Sequence, residues 1–209
     1  MAQLIAVVGP SGVGKTSLVR ALAQGGVFAT AFEQHDERPF QALFNADPAF
    51  GLANQVDYLI LRAEQELALR ADARPALVDG GLDLDFHGFT RLFHQRGLLS
   101  DAEFGLCRRL YALLRALLPP PDLIIRLRAS REVVAERLAM RERINIASPA
   151  DFDQFEAQLD EWLTVYPTGR VLAVDASAKD RSYADALPGL MDALRACVGG
   201  DAPAARPRA

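Results

Sequence analysis

Eight residues near the N-terminus, Gly9-Pro10-Ser11-Gly12-Val13-Gly14-Lys15-Thr16, fit the pattern G-x-x-x-x-G-K-[ST]. Glycines let the backbone curl so that successive N–H groups converge on one anion. A helix leaving such a loop adds its positive dipole end. Lys15 then supplies a mobile point charge for the outer phosphates, Ser17 joins the phosphate-contacting residues, and the Thr16 hydroxyl can hold Mg²⁺. The chemistry implied is the binding of ATP with Mg²⁺. Two acids extend it. Asp79 ends the apolar run Ala76-Leu77-Val78, the usual setting for the acid that completes the Mg²⁺ shell opposite the loop threonine. Glu33 ends another apolar run, where a carboxylate can orient an acceptor hydroxyl or take its proton. His35, His87 and His94 show no metal-ligand spacing.

Alternating strands and helices are needed to bring these groups together. Apolar runs at Leu4–Val8, Val27–Phe32, Ala76–Asp79, Leu123–Leu127 and Val171–Asp175 read as buried parallel strands. Leu18, Val19, Leu22 and Ala23 give the first helix its apolar face. A polar loop is expected from Gln34 to Pro39. Leu52, Ala53, Val56, Leu59, Ile60, Ala63 and Leu67 recur at helical spacing over about 49–71. Residues 83–96 read as a less regular helix. Ser100 caps a helix running to about Leu118, stopped by Pro119-Pro120-Pro121, and Ser130 caps one running to about Met140. Two more helices are marked by Phe152–Leu163 and Leu187–Leu194. The fold class is α/β: a five-stranded parallel sheet with helices on both faces, its ligands gathered at the carboxyl ends of the strands. One domain is expected over 1–198, followed by a disordered tail over 199–209 that is rich in Ala and Pro.

Composition narrows the partners. The chain of 209 residues is half hydrophobic and carries a net charge of −4, with no basic block before the tail. That argues against nucleic acid as partner. No run reaches membrane-spanning length, and Leu4–Val8 is too short for a secretion signal. Cys107 and Cys197 lie far apart in apolar helical stretches and read as buried free thiols, which favours a reducing, cytoplasmic setting.

The order of these parts resembles the deoxyribonucleoside kinase family, the P-loop kinases of deoxycytidine, deoxyadenosine and deoxyguanosine. The features that carry the resemblance are the N-terminal phosphate loop, Glu33 at a strand end, Phe44-Asn45-Ala46-Asp47-Pro48, and a long helix with Gln55 and Arg62. The acidic end of strand three, Gly97-Leu98-Leu99-Ser100, Pro121-Asp122-Leu123-Ile124 and an arginine-bearing stretch at about 140–149 follow. The resemblance spans about residues 3 to 197. It implies Glu33 as base for a 5′-hydroxyl and Gln55 paired with the nucleobase. It implies Arg62 and Asp85 reading that base, Asp160 or Glu161 at the sugar 3′-hydroxyl, and Arg141 and Arg143 as lid arginines. It places the ATP adenine on the loop from Ala176 to Asp180, which includes Lys179. The Gln55 amide, with one donor side and one acceptor side, suits adenine, cytosine or guanine edges. Family members pair through helices such as those at 49–71 and 101–118, so a homodimer or a heterodimer with a related kinase is expected.

In one place the sequence departs from the family. Where the family has Arg-Ser after the third-strand acid, this chain has Gly80-Gly81. A guanidinium there would stabilise charge developing in the transition state. Its loss leaves a weakly active or non-catalytic nucleotide-binding subunit as an alternative reading, beside a nucleoside monophosphate kinase. A GTP switch is disfavoured because no Asn-Lys-x-Asp occurs and Leu82 stands three residues after Asp79.

Overall fold

Five apolar runs pair as one parallel sheet: β1 (Leu4–Val8), β2 (Ala29–Ala31), β3 (Ala76–Asp79), β4 (Leu123–Arg128) and β5 (Val171–Asp175), in the order β2-β3-β1-β4-β5. The computed structural model describes residues 2–31, 38–140, 149–177 and 183–198. β2 pairs later than expected. Its partner strand is preceded by Pro75, which has no N–H to extend the ladder, so pairing begins at Ala29 with Ala76. Phe28 is nevertheless buried in the core.

The helices are α1 (Lys15–Ala23), α2 (Pro39–Ala46), α3 (Gly51–Arg70), α4 (Leu82–Leu84), α5 (Arg91–Gln95), α6 (Asp101–Leu117), α7 (Arg131–Ala139), α8 (Phe152–Leu163) and α9 (Leu187–Val198). A π-turn over Asp85–Thr90 joins α4 to α5, and this is the irregularity expected within 83–96. α1, α7 and α9 cover one sheet face through Leu18, Leu22, Val134, Leu138, Leu190 and Leu194. On the other face Leu69 of α3, Leu84, Leu92 and Phe155, Leu159 and Trp162 of α8 meet Leu4, Ala6, Val8 and Val78. A third apolar cluster, with Leu59, Phe86, Phe93 and Cys107, joins α6 to α3. α6 opens on a full capping box between Ser100 and Glu103. Cys107 is a buried free thiol, and burial raises its pKa to about 11. The Cys197 side chain lies outside the described residues.

Two sequence expectations need correction. Pro39 does not close a polar loop. It occupies the first turn of α2, where its missing N–H would be unpaired anyway. α2 is then tied to α3 by Tyr58, whose hydroxyl donates to Gln41 Oε1 at 2.7 Å, and Arg38 just before it by a two-point pair with Asp57. The second correction concerns the face of α3. Ile60 and Leu67, counted with the apolar residues at helical spacing, are exposed, while Gln55, Arg62, Glu66 and Arg70 lie in the buried stripe with Leu59 and Leu69. The long helix turns a polar stripe inward.

Glu66 of that stripe is held in a charge network at the end of β3. Arg115 of α6 donates to both oxygens of Glu66, at 2.7 and 2.9 Å, and to Asp83 Oδ1 at 2.8 Å. Burial alone would lower the Arg115 pKa, but Asp83 and Glu66 more than reverse this and raise it. Tyr111 donates to the same Asp83 oxygen at 2.7 Å. His87, stacked on Trp162, lies 3.1 Å from the Tyr111 oxygen. Because the Tyr111 proton is already directed at Asp83, a neutral His87 donates its Nε2–H to Tyr111. Glu66 also meets the backbone N–H of Leu82 at 3.4 Å. The network therefore grips the chain as it turns through Gly80 (φ 90°) and Gly81 (φ 94°, ψ 178°). The Gly81 conformation is open essentially to glycine alone.

Two measurements check this packing. Arg115→Ala leaves Glu66 and Asp83 buried without their cation, and chemical denaturation should show a loss of about 3–5 kcal/mol. Burial lowers the His87 pKa from 6.5 to about 4. The unfolded chain then binds a proton first as pH falls, so stability is full above about pH 6.5 and declines from there toward about pH 4. Between pH 7 and pH 5 the decline from this group should be about 2 kcal/mol, and His87→Gln should remove it.

Candidate active site

The phosphate loop is held from three sides. Gly14 begins α1 with φ 116°, and a Cβ there would strike the Tyr183 hydroxyl. Tyr183 donates to the Gly14 carbonyl at 3.3 Å, and buried Arg137 of α7 donates to the Val13 carbonyl at 2.8 Å. Lys15 Nζ lies across the loop, donating to the Gly9 and Pro10 carbonyls at 3.1 and 3.2 Å. Thr16 donates to Asp79 Oδ2 at 2.5 Å. β1 and β3 are adjacent with Val7 opposite Asp79, which brings this acid beside the start of α1. Asp79 is buried, and its Oδ1 has no hydrogen-bond partner among the described residues. A part-buried hydroxyl–carboxylate pair with one unsatisfied carboxylate oxygen is a hard-oxygen set of the kind Mg²⁺ takes. The residues present thus fit the ion.

On the far side of Gly80-Gly81 a second cluster forms. Arg62 Nε donates to Asp85 Oδ2 at 2.7 Å, with both side chains buried. Arg62 Nη1 also reaches Gln65 Oε1 at 3.0 Å. Thr90, fully buried at the end of the π-turn, donates to Gln55 Oε1 at 2.9 Å. Gln55, Arg62 and Asp85 are thereby brought together as the sequence suggested. The two halves meet at Gly80: Arg62 Nη2 lies 3.9 Å from where a Gly80 Cβ would stand. The space beside Gly80 is thus bordered by an arginine contributed by α3.

Other expected residues stand elsewhere. Asp160 is ion-paired with Arg128 and lies 3.8 Å from buried Arg126. Glu161 is exposed and pairs with Arg91 at 2.6 Å. Among the described residues their ion pairs run to Arg128, Arg126 and Arg91 rather than to Gln55, Arg62 or Asp85. Glu33, Arg141, Arg143, Lys179 and Asp180 lie outside the described residues. Sequence reasoning missed Thr90, Arg137 and Tyr183. A usable signal existed for the polar interior of α3: Gln55, Leu59, Arg62, Glu66 and Leu69 follow alternating steps of four and three, one helix face. Nothing local marks Thr90, whose partner is 35 residues away.

Comparison with known proteins agrees with the fold. A deoxynucleoside kinase family model matches residues 5–189. The deoxyadenosine kinase of Dictyostelium discoideum is 31% identical over 140 residues, covering 66% of this chain and 57% of that protein. The alignment thus spans little more than half the length of that relative. A deoxyadenosine/deoxycytidine kinase of Bacillus subtilis (strain 168) is 22% identical over 174 residues, 81% of this chain and 80% of that one. Structures of the M. mycoides deoxyadenosine kinase, one with bound dATP and one with bound dCTP, share the fold. Their TM-scores are 0.74 and 0.75 at 18% identity, over 92% and 93% of this chain and 100% of theirs. With most of its length matched by the family model, the chain belongs to the deoxynucleoside kinase family.

Proposed function

We propose that this kinase transfers the γ-phosphoryl group of ATP to the 5′-hydroxyl of a deoxyribonucleoside, with a purine or cytosine base favoured, in nucleotide salvage. The observation that carries the reading is the placement of two clusters on either side of one turn. Thr16 and Asp79 lie before it, and Arg62, Asp85 and Gln55 gather after it, with Arg62 Nη2 3.9 Å from the Gly80 Cβ position. A phosphate donor and a nucleoside acceptor would then meet at Gly80.

The chain's own groups divide the work. The loop amides of Gly9–Thr16 and Lys15 hold the β- and γ-phosphates, and Lys15 leaves the Gly9 and Pro10 carbonyls to do so. Mg²⁺ on Thr16 and Asp79 would neutralise phosphate charge. Glu33 orients the 5′-hydroxyl and accepts its proton. Arg141 and Arg143 supply lid charge, and Lys179 and Asp180 lie on the adenine loop. Gln55, Arg62 and Asp85 read the base. Asp160 or Glu161 would release Arg128 or Arg91 to reach the sugar 3′-hydroxyl. Arg62 borders the space beside Gly80 and is placed to offset the charge of the missing arginine. The setting inferred is cytoplasmic.

A coupled ADP-release assay with the four deoxynucleosides, and with thymidine monophosphate as comparison, tests the proposal. Turnover of at least one purine or cytosine deoxynucleoside above the monophosphate is expected. Fastest turnover of the monophosphate, or deoxynucleotide binding without turnover, would overturn it. Asp79→Asn should lower kcat on the order of 10²-fold or more while the nucleoside KM changes little, because the lost group acts on the phosphates.

We further propose that two copies pair through the outer faces of α3 and α6. Ile60 and Leu67 on α3, and Leu106, Leu113 and Leu117 on α6, are exposed large apolar side chains at helical spacing. Light scattering at micromolar concentration should give a dimer, and Leu113→Glu with Leu117→Glu should give a monomer.

A further inference from the structure

Gln55 is almost fully buried, and among the described residues its amide makes one hydrogen bond, to Thr90. Among those residues the hold on the amide's direction therefore runs through that hydroxyl. Thr90 Oγ1 has two acceptors in reach: Gln55 Oε1 at 2.9 Å and the Asp85 carbonyl at 3.1 Å. The second contact exists because the π-turn sets Thr90 beside the carbonyl five residues back. A hydroxyl has a single proton and two lone pairs. It can donate to Gln55 Oε1. Alternatively it can donate to the Asp85 carbonyl and accept a proton from Gln55 Nε2. The first state leaves Nε2 as the unanchored end of the amide, and the second leaves Oε1. Each keeps the buried amide hydrogen-bonded, and a half-turn of the amide converts one into the other.

We infer that Thr90 is a positioning residue for substrate specificity, a hydroxyl swivel that lets Gln55 present either donor–acceptor order to the base. The inference rests on the proposed role of Gln55 at the nucleobase. An adenine edge offers an amino donor beside a ring-nitrogen acceptor, whereas guanine offers a carbonyl acceptor beside a ring N–H donor. One rigid amide matches one of these and opposes the other. A swivelling amide matches both, so the site admits amino- and keto-bearing purines alike. The fixed carbonyl of Asp85 is what makes the second state available without leaving the hydroxyl proton unpaired.

Titration calorimetry with deoxyadenosine and deoxyguanosine tests this on the full chain, using Thr90→Val, Thr90→Ser, Gln55→Ala and the double variant. Wild type should bind both nucleosides within about tenfold of each other. Thr90→Val keeps the shape but loses the hydroxyl, and should weaken both by about tenfold while ATP affinity is unchanged. Thr90→Ser should restore both. In the Gln55→Ala background Thr90→Val should cause no further loss, which a merely structural threonine would not reproduce. Wild-type binding of only one of the two purines overturns the swivel. So does a Thr90→Val loss confined to one base, an absent loss, or a loss that persists without Gln55. If neither nucleoside binds, or Gln55→Ala leaves both affinities intact, the base-site reading itself fails and the swivel with it.

Discussion

Asp79 and Asp85 stand six residues apart, yet they serve opposite faces of the sheet. Asp79 accepts from Thr16 at the start of α1, and Asp85 pairs with Arg62 of α3. Between them the chain passes through two glycines with positive φ, a path that residues with a Cβ take only under strain. The position of both acids depends on that turn, and the turn depends on the Glu66–Arg115–Asp83 network behind it. A buried cation between two buried carboxylates adds little net stability over an apolar substitute, but removing it strands charge. Its contribution is to fix where the chain crosses from Asp79 to Asp85.

This constraint gives a physical account of the departure from the family at Gly80-Gly81. A side chain at position 80 would point toward Leu84 and Arg62, and at position 81 toward Val78 and Glu66. The glycines leave that space to α3, whose interior stripe is polar. Arg62 then belongs to both halves of the site: it pairs with Asp85 and borders Gly80. The same helix faces outward with Ile60 and Leu67, so one element carries a polar inner stripe and an apolar outer surface.

Much of this was legible in the sequence because it is written locally. The phosphate loop needs glycine where φ is positive, Ser100 and Glu103 form a capping box, and five apolar runs predict a parallel sheet. The meeting of Asp79 with Thr16 was legible because an acid ending a buried strand next to β1 stands beside such a loop. What stayed hidden depends on distant partners or on ambiguous signals. Pro39 reads as a breaker until the residues after it are seen to be helical. On α3 the apolar residues suggested the buried face, but the inward stripe includes Glu66, which is paired with Arg115 from 49 positions away. Thr90 looks like any helical threonine until its two acceptors are in view.

The central claim is that a phosphate donor and a nucleoside acceptor share one site divided at Gly80. A co-crystal structure with a bisubstrate analogue, adenosine joined through a polyphosphate to the 5′-oxygen of deoxyadenosine, tests it most directly. The account predicts the polyphosphate on Gly9–Thr16 and the deoxyadenosine base within hydrogen-bond distance of Gln55, with Arg62 and Asp85 beside it. A deoxyadenosine moiety lying away from Gln55 and Asp85, while the polyphosphate occupies the loop, would contradict it.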